Sequence, residues 1–226
     1  MVLLIGGFVF TTWFAAKIYR TGRDLFSVGT QSIYEGRAYD VEGDVSSASY
    51  FFLAAALLKT TIRVEGISRE SRQGDIRLLD VLEKLGCRFR STTNGVDVTG
   101  RTLLKGDRVF DFGDMPDMVP TLAVLSAFRE GQTVINNVAH LRIKESNRLA
   151  AVATELRRAG IDAREIPDGL VIKGGRMRPA KIETYNDHRM AMSFAIAGLV
   201  VPGIDIRDKK CVDKSFPSFW EELRRL

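Results

Sequence analysis

The sequence predicts an α+β fold, an inside-out α/β barrel in which three copies of a helix, strand, helix, hairpin unit put parallel helices in the middle and strands outside. Three observations predict it. First, three segments are apolar nearly all the way round: ASYFFLAAALL from Ala48, PTLAVLSAF from Pro120 and RMAMSFAIAGLV from Arg189. A helix with no polar face must be enclosed by the domain on every side. Second, three other segments place apolar residues at i, i+3, i+4 and i+7, the face of a helix that is half buried. They are Leu78, Val81, Leu82 and Leu85; Leu149, Val152, Ala153 and Leu156; and Phe216, Phe219, Trp220 and Leu223. Third, the two kinds alternate with a period of roughly 70 residues, the mark of a repeated unit.

In chain order, the first 16 residues, MVLLIGGFVFTTWFAA, are apolar but carry no basic leader. They are a little shorter than the roughly 20 residues that span a bilayer, and Gly6-Gly7 and Thr11-Thr12 interrupt them. A strand and helix that pack against another domain are expected there, and membrane attachment is not. Thr11–Arg20 reads as a helix and Leu25–Val28 as a short strand. Polar residues around Gly36 then mark a boundary, giving units 1–40 and 41–226.

The repeats start near Val41. Asp44, Ser46 and Ser47 are good capping residues for the first apolar helix. Strands are expected at Thr61–Glu65, Thr133–Asn136 and Gly203–Arg207, each ahead of an amphipathic helix. Gly86 and Gly160 end the first two of those helices, in the position where a left-handed residue closes a helix. Hairpins follow, with turns at Asn94-Gly95 and at Pro167-Asp168-Gly169. The third copy stops at its amphipathic helix and has no hairpin, so the barrel is expected to be truncated. Matching repeats place the three buried helices side by side with their N-termini on one face. Their positive dipole ends would then meet at a site suited to phosphate or carboxylate.

Composition narrows the function. With 45% hydrophobic residues in 226, the chain can bury a sizeable core. Its net charge of +5, from 33 Lys+Arg against 28 Asp+Glu, is spread without basic runs. Nucleic acid is therefore not the expected partner, and an anionic small molecule is. Cys87 and Cys211 stand alone, so neither a disulfide framework nor a zinc site is indicated. A reducing cytoplasm is the expected setting.

Charged residues gather at the predicted N-terminal face. Asp117 precedes the second buried helix, and Asp187, His188 and Arg189 open the third. Asp75 starts the first amphipathic helix, Arg142, Lys144, Glu145 and Arg148 crowd the start of the second, and Lys214-Ser215 opens the third. Capping accounts for Asp117 as readily as chemistry does. Glu145 and Asp187 could simply complement helix dipoles, and His188 could be a satisfied buried histidine. Cations at helix N-termini are harder to explain, because each opposes the dipole by about 0.3–1 kcal/mol unless an anion arrives.

These stretches resemble the 5-enolpyruvylshikimate-3-phosphate synthase family of shikimate-pathway transferases. The similarity is carried by VEGDVSSASYFFLAAAL at Val41, GDIRLLDVLEKLG at Gly74, DMPDMVPTLAV at Asp114, LRIKESNRLAAVATELRRAG at Leu141, TYNDHRMAMSFAIAGL at Thr184 and DKSFPSFWEEL at Asp213. IKESNR together with TYNDHRMAM is the specific pair.

The resemblance implies an enolpyruvyl transferase-like barrel of three βαβαββ-type units. It makes residues 1–40 a remnant of a substrate-side domain with the hinge, and residues 41–226 the carboxy-terminal-half domain. The activity implied is transfer of the enolpyruvyl group of phosphoenolpyruvate to the 5-hydroxyl of shikimate 3-phosphate, releasing phosphate, with no metal or organic cofactor. Asp117 resembles the carboxylate at the reacting hydroxyl, and Glu145 the group that handles protons at the methylene carbon. His188 lines the same corner as a third candidate catalytic residue. Lys144 and His140 resemble contacts to shikimate 3-phosphate, and Arg148, Arg189 and Lys214 the clamp on phosphoenolpyruvate. Asn147 and His140 depart from the residues common in the family, Asp and Asn respectively. The family's amino-terminal motifs have no counterpart here, so the expected activity needs an amino-terminal half. The alternative expectation is a catalytically silent anion-binding or interaction module.

Overall fold

In the computed structural model of the chain, the described residues are Ala38 and residues 41–226. The expectations for the apolar opening segment, the helix at Thr11–Arg20 and the strand at Leu25–Val28 lie outside them. Residues 41–226 form one compact unit.

The three apolar segments are the helices α1 (Val45–Leu58), α3 (Val119–Ala127) and α5 (His188–Ala197), and each packs against the other two. All nine residues of α3 are buried, as are all of α5 except Arg189. A polar contact survives inside: Ser49 of α1 and Thr121 of α3 share a hydrogen bond of 3.2 Å, both near the N-termini of their helices. Those N-termini therefore sit together. The amphipathic helices α2 (Leu78–Lys84), α4 (Arg148–Arg158) and α6 (Phe219–Leu223) lie outside and turn their apolar faces inward.

Among the described residues, three sheets surround the helices. The first is antiparallel, with order β1 (Thr61–Glu65), β3 (Gly95–Thr99), β2 (Arg88–Thr92). The second has order β4 (Arg108–Asp111), β5 (Gln132–Asn136), β7 (Gly169–Lys173), β6 (Asp162–Ile166). The third is the parallel pair β8 (Ala180–Ile182) and β9 (Ile204–Ile206). Strands β4 and β8 went unmarked in the pattern because four and three residues are too few to show alternation. Each precedes a buried helix and pairs in parallel with the strand after it. This completes the βαβ half of the unit, and the architecture is the expected inside-out barrel.

The first hairpin turn falls one residue earlier than the turn chemistry suggests, and the second ends one residue earlier. The loops are Thr93-Asn94 and Pro167-Asp168, and Gly95 and Gly169 are already paired strand residues. Their glycine character has another cause. A Cβ on Gly95 would lie 2.1 Å from the Val64 carbonyl oxygen, and one on Gly169 would lie 1.7 Å from that of Ile135. In each repeat, glycine lets the hairpin approach the backbone of the preceding strand.

Candidate functional site

Each charged corner residue is placed by the end of an element. Asp117 lies on a 3-10 turn, Pro116–Met118, ahead of α3 and makes no capping hydrogen bond, so the capping explanation fails for it. Asp187 does cap α5, accepting from the Arg189 backbone N–H at 2.9 Å. Asn147 caps α4 by accepting from the Ala150 backbone N–H. That leaves Arg148 as the first residue of α4, with its side chain directed into the protein.

Arg148 is the hub of the corner. Its Nε donates to Asp187 Oδ2 at 2.8 Å, its Nη1 to Asp117 Oδ1 at 2.9 Å and its Nη2 to Glu145 Oε2 at 2.7 Å. The other oxygen of Asp117 accepts from Arg189 Nη2 at 2.9 Å. Two arginines and three carboxylates from the starts of α3, α4 and α5 thus form one network. It corrects the expectation that these cations stand uncompensated until an anion arrives. Arg148 pays for its position at a helix N-terminus with three protein carboxylates.

The network runs from a dry floor to a wet rim. The side chains of Arg148 and Asp187 are 2% and 0% exposed, and that of Glu145 is 41% exposed. Burial pushes the Asp187 carboxyl up, but Arg148 outweighs it, and the group lies below the usual carboxylate range. The second oxygen of Glu145 is 3.6 Å from His188 Nδ1 and 4.0 Å from Lys214 Nζ, outside hydrogen-bond reach of both. His188 Nδ1 is buried with no partner of its own. Burial holds the His188 imidazole below its ordinary value, with Glu145 pulling partway back. Lys214 donates to the Asn186 carbonyl at 3.0 Å and lies in a turn, since α6 starts only at Phe219 and not at Lys214-Ser215.

The structure therefore brings together Asp117, Glu145, Arg148, His188, Arg189 and Lys214. Lys144 is exposed beside them and has no ion pair among the described residues. His140 sits exposed on the 3-10 turn Ala139–Ile143 and takes no part in the network. Arg142 points away from the corner, to Glu165 and the Ile166 carbonyl on β6. Asp75 lies on the 3-10 turn before α2 and accepts from Ser46 Oγ at 2.5 Å, and burial raises its carboxyl.

Two residues at the corner carry no site role in the sequence reading. Asp187 read as an ordinary dipole partner, because sequence cannot show that a cap also holds a guanidinium. Tyr50 is fully buried in α1 near Arg189, without hydrogen-bond geometry, and burial raises its phenol. It read as one more aromatic in an apolar helix. Glu145, Asp187 and His188 bring three potential metal-ligand atoms within 4.8 Å of one another. Arg148 already pairs with both carboxylates and Lys214 stands close by, so the charge that a divalent cation would need from this donor set is already neutralised by protein cations.

Comparisons with known proteins converge on one family. Residues 10–223 match the family model of EPSP synthase (3-phosphoshikimate 1-carboxyvinyltransferase). The chain is 49% identical over 195 residues to the 3-phosphoshikimate 1-carboxyvinyltransferase of Syntrophobacter fumaroxidans, covering 85% of this chain and 46% of that protein. It is 44% identical over 207 residues to the protein of the same name from Nostoc punctiforme, covering 92% and 48%. The solved structure of EPSP synthase from Acinetobacter baumannii superposes with a TM-score of 0.69 at 32% identity, over 82% of this chain and 46% of that one. The chain spans about half the length of the curated relatives it matches.

Proposed function

The chain belongs to the EPSP synthase family, and from that premise we propose that its charged corner is one wall of the site that moves an enolpyruvyl group from phosphoenolpyruvate to the 5-hydroxyl of shikimate 3-phosphate. In this reading residues 41–226 are the carboxy-terminal-half domain and residues 1–40 a remnant of the substrate-side domain with the hinge. The remainder of the site would come from the half of the relatives' length that this chain does not match.

One observation carries the reading. Glu145 is 41% exposed, with one oxygen fixed by Arg148 and the other 3.6 Å from His188 Nδ1 and 4.0 Å from Lys214 Nζ, bonded to neither. That is the arrangement of a proton carrier held in place but not consumed by its support. In the proposed sequence, Asp117 takes the proton of the attacking hydroxyl as its oxygen bonds to C2 of phosphoenolpyruvate, and Glu145 gives a proton to the methylene carbon. The tetrahedral intermediate then expels phosphate, which leaves with the proton that Asp117 took, and returns a methyl proton to Glu145, which restores the double bond and both carboxylates. Arg189 and Lys214 would hold carboxylate and phosphate, Arg148 would hold the catalytic carboxylates and the bound anion together, and Lys144 and His140 would meet shikimate 3-phosphate.

The second reading, a catalytically silent anion-binding or interaction module, draws on the same hub: every nitrogen of the Arg148 guanidinium already meets a protein carboxylate, so Arg148 could serve the fold alone and leave Arg189 and Lys214 to meet an anion. Phosphate release from the two substrates separates the readings. The chain would be assayed alone and mixed with a separately made amino-terminal half of a relative. Turnover in the mixture that is lost with Glu145→Gln supports the enzyme. Silence from a folded, associated pair leaves the module.

A further inference from the structure

The turn that delivers Asp187 is gripped from behind by a buried carboxylate that the proposed chemistry does not use. Asp187 N–H donates to the Thr184 carbonyl at 2.9 Å, and the two residues between them, Tyr185 and Asn186, have φ of 55° and 56°. Two successive left-handed residues are the signature of a type I′ turn, where glycine and asparagine are at home and tyrosine is not. Something outside the turn must hold it.

Glu155 of α4 does so. Its side chain is fully buried. Its Oε1 accepts from the Tyr185 hydroxyl at 2.7 Å, and its Oε2 accepts from the Glu183 backbone N–H at 3.1 Å and from Arg158 Nη1 at 2.8 Å. One carboxylate therefore holds the chain just before the turn and at its first left-handed residue. Burial and the bond to Glu155 push the Tyr185 phenol up to about 12. Two cations of the corner take their places from this turn. Lys214 Nζ donates to the Asn186 carbonyl at 3.0 Å, and Arg148 Nε donates to Asp187 at 2.8 Å.

We propose that Glu155 and Tyr185 are positioning residues: their hydrogen bond holds a turn that its own amino acids disfavour, and the turn sets Lys214 and Arg148. The inference rests on the functional reading only for what those cations bind.

The test compares Tyr185→Phe with Tyr185→Gly in the whole chain. Phenylalanine keeps the ring and the left-handed Cβ but loses the tether, whereas glycine loses the ring and takes the left-handed conformation freely. Water exchange of the Arg148 Nε–H, followed by nitrogen-15 NMR, is expected to speed up about tenfold in Tyr185→Phe and to stay within about threefold of the parent in Tyr185→Gly. Adding Asn186→Gly to Tyr185→Phe is expected to bring the rate back. A role in packing or direct contact predicts the opposite order, with phenylalanine the milder change. That order, an unchanged Tyr185→Phe, or a Tyr185→Phe chain that does not fold, overturns the proposal. A separate arm measures turnover with the amino-terminal half, where the KM for phosphoenolpyruvate is expected to rise about tenfold in Tyr185→Phe with that for shikimate 3-phosphate unchanged. A parent chain without turnover would sink the functional reading and leave the positioning to be decided by the exchange rates.

Discussion

Arg148 and Asp187 form an ion pair across two helix starts, Nε to Oδ2 at 2.8 Å, with both side chains sealed from water. The pair ties the start of α4 to the start of α5, and Asp117 and Glu145 gather around the other two guanidinium nitrogens. Taking a charge out of water is costly, so the arginine is tolerated only while its partners remain.

The first prediction tests that dependence. Asp187→Asn leaves the guanidinium buried beside a neutral amide and is expected to cost about 3–5 kcal/mol in urea unfolding. Asp117 is 31% exposed and so leaves less charge sealed from water, but it also holds Arg189, and Asp117→Asn is expected to cost about 1–2 kcal/mol. Equal losses at the two positions would contradict a network graded from dry floor to wet rim.

Glu145 should show the reverse balance. Its carboxylate is 41% exposed, so Glu145→Gln is expected to change stability by less than about 1 kcal/mol. In the reconstituted enzyme it should lower kcat by about 100-fold or more, the usual contribution of a positioned proton carrier. A well-folded Glu145→Gln chain with near-parent turnover would remove Glu145 from proton transfer.

Much of the fold could be read before the structure, because burial on all sides and burial on one face leave different periods in sequence. ASYFFLAAALL and LAAVATEL announce an enclosed helix and a half-buried one without any knowledge of their neighbours. The strands β4 and β8 could not be read, being too short for a period. The corner was legible as a collection of residues and not as a network. Spacing brings Glu145 and Arg148 together on one helix start, but that Arg148 also meets Asp117 and Asp187, 31 and 39 residues away, is set by tertiary packing. Cap and hub look the same in sequence, so Asp187 and Arg142 stand there alike as charged residues at helix starts, although the structure puts Asp187 in the network and Arg142 outside it.

The hairpin glycines give a prediction in which conformation plays no part. Gly95 and Gly169 have ordinary backbone angles, but an added Cβ would press on the carbonyl oxygens of Val64 and Ile135. Gly95→Ala and Gly169→Ala must each separate two paired strands, and each is expected to cost about 3 kcal/mol in thermal or urea unfolding. Gly175, where the nearest atom to an added Cβ is 3.8 Å away, serves as the control, and its alanine variant should be near neutral. If all three variants behaved alike, close approach would not be the reason for glycine at the hairpins.

The last prediction concerns pH. The carboxylates of Glu145 and Asp187 and the cations Arg189 and Lys214 all act on His188, and burial sets the direction, holding the folded imidazole below its ordinary value. In the unfolded chain the same group titrates near about 6.5. Between those two points the unfolded chain carries a proton that the folded chain does not, so stability rises with pH across the window. Read downward, stability begins to fall as the pH drops below about 6.5 and continues to fall until the folded imidazole also protonates, by at most about 1.4 kcal/mol per pH unit. Urea midpoints measured from about pH 7.5 down to about pH 5 should show this slope in the parent and lose it in His188→Asn. A parent whose midpoint is flat over that range, or rises as the pH falls, would mean that Glu145 and Asp187 hold the proton on His188 in the folded state, and His188 would then enter the site as a cation and not as a neutral base.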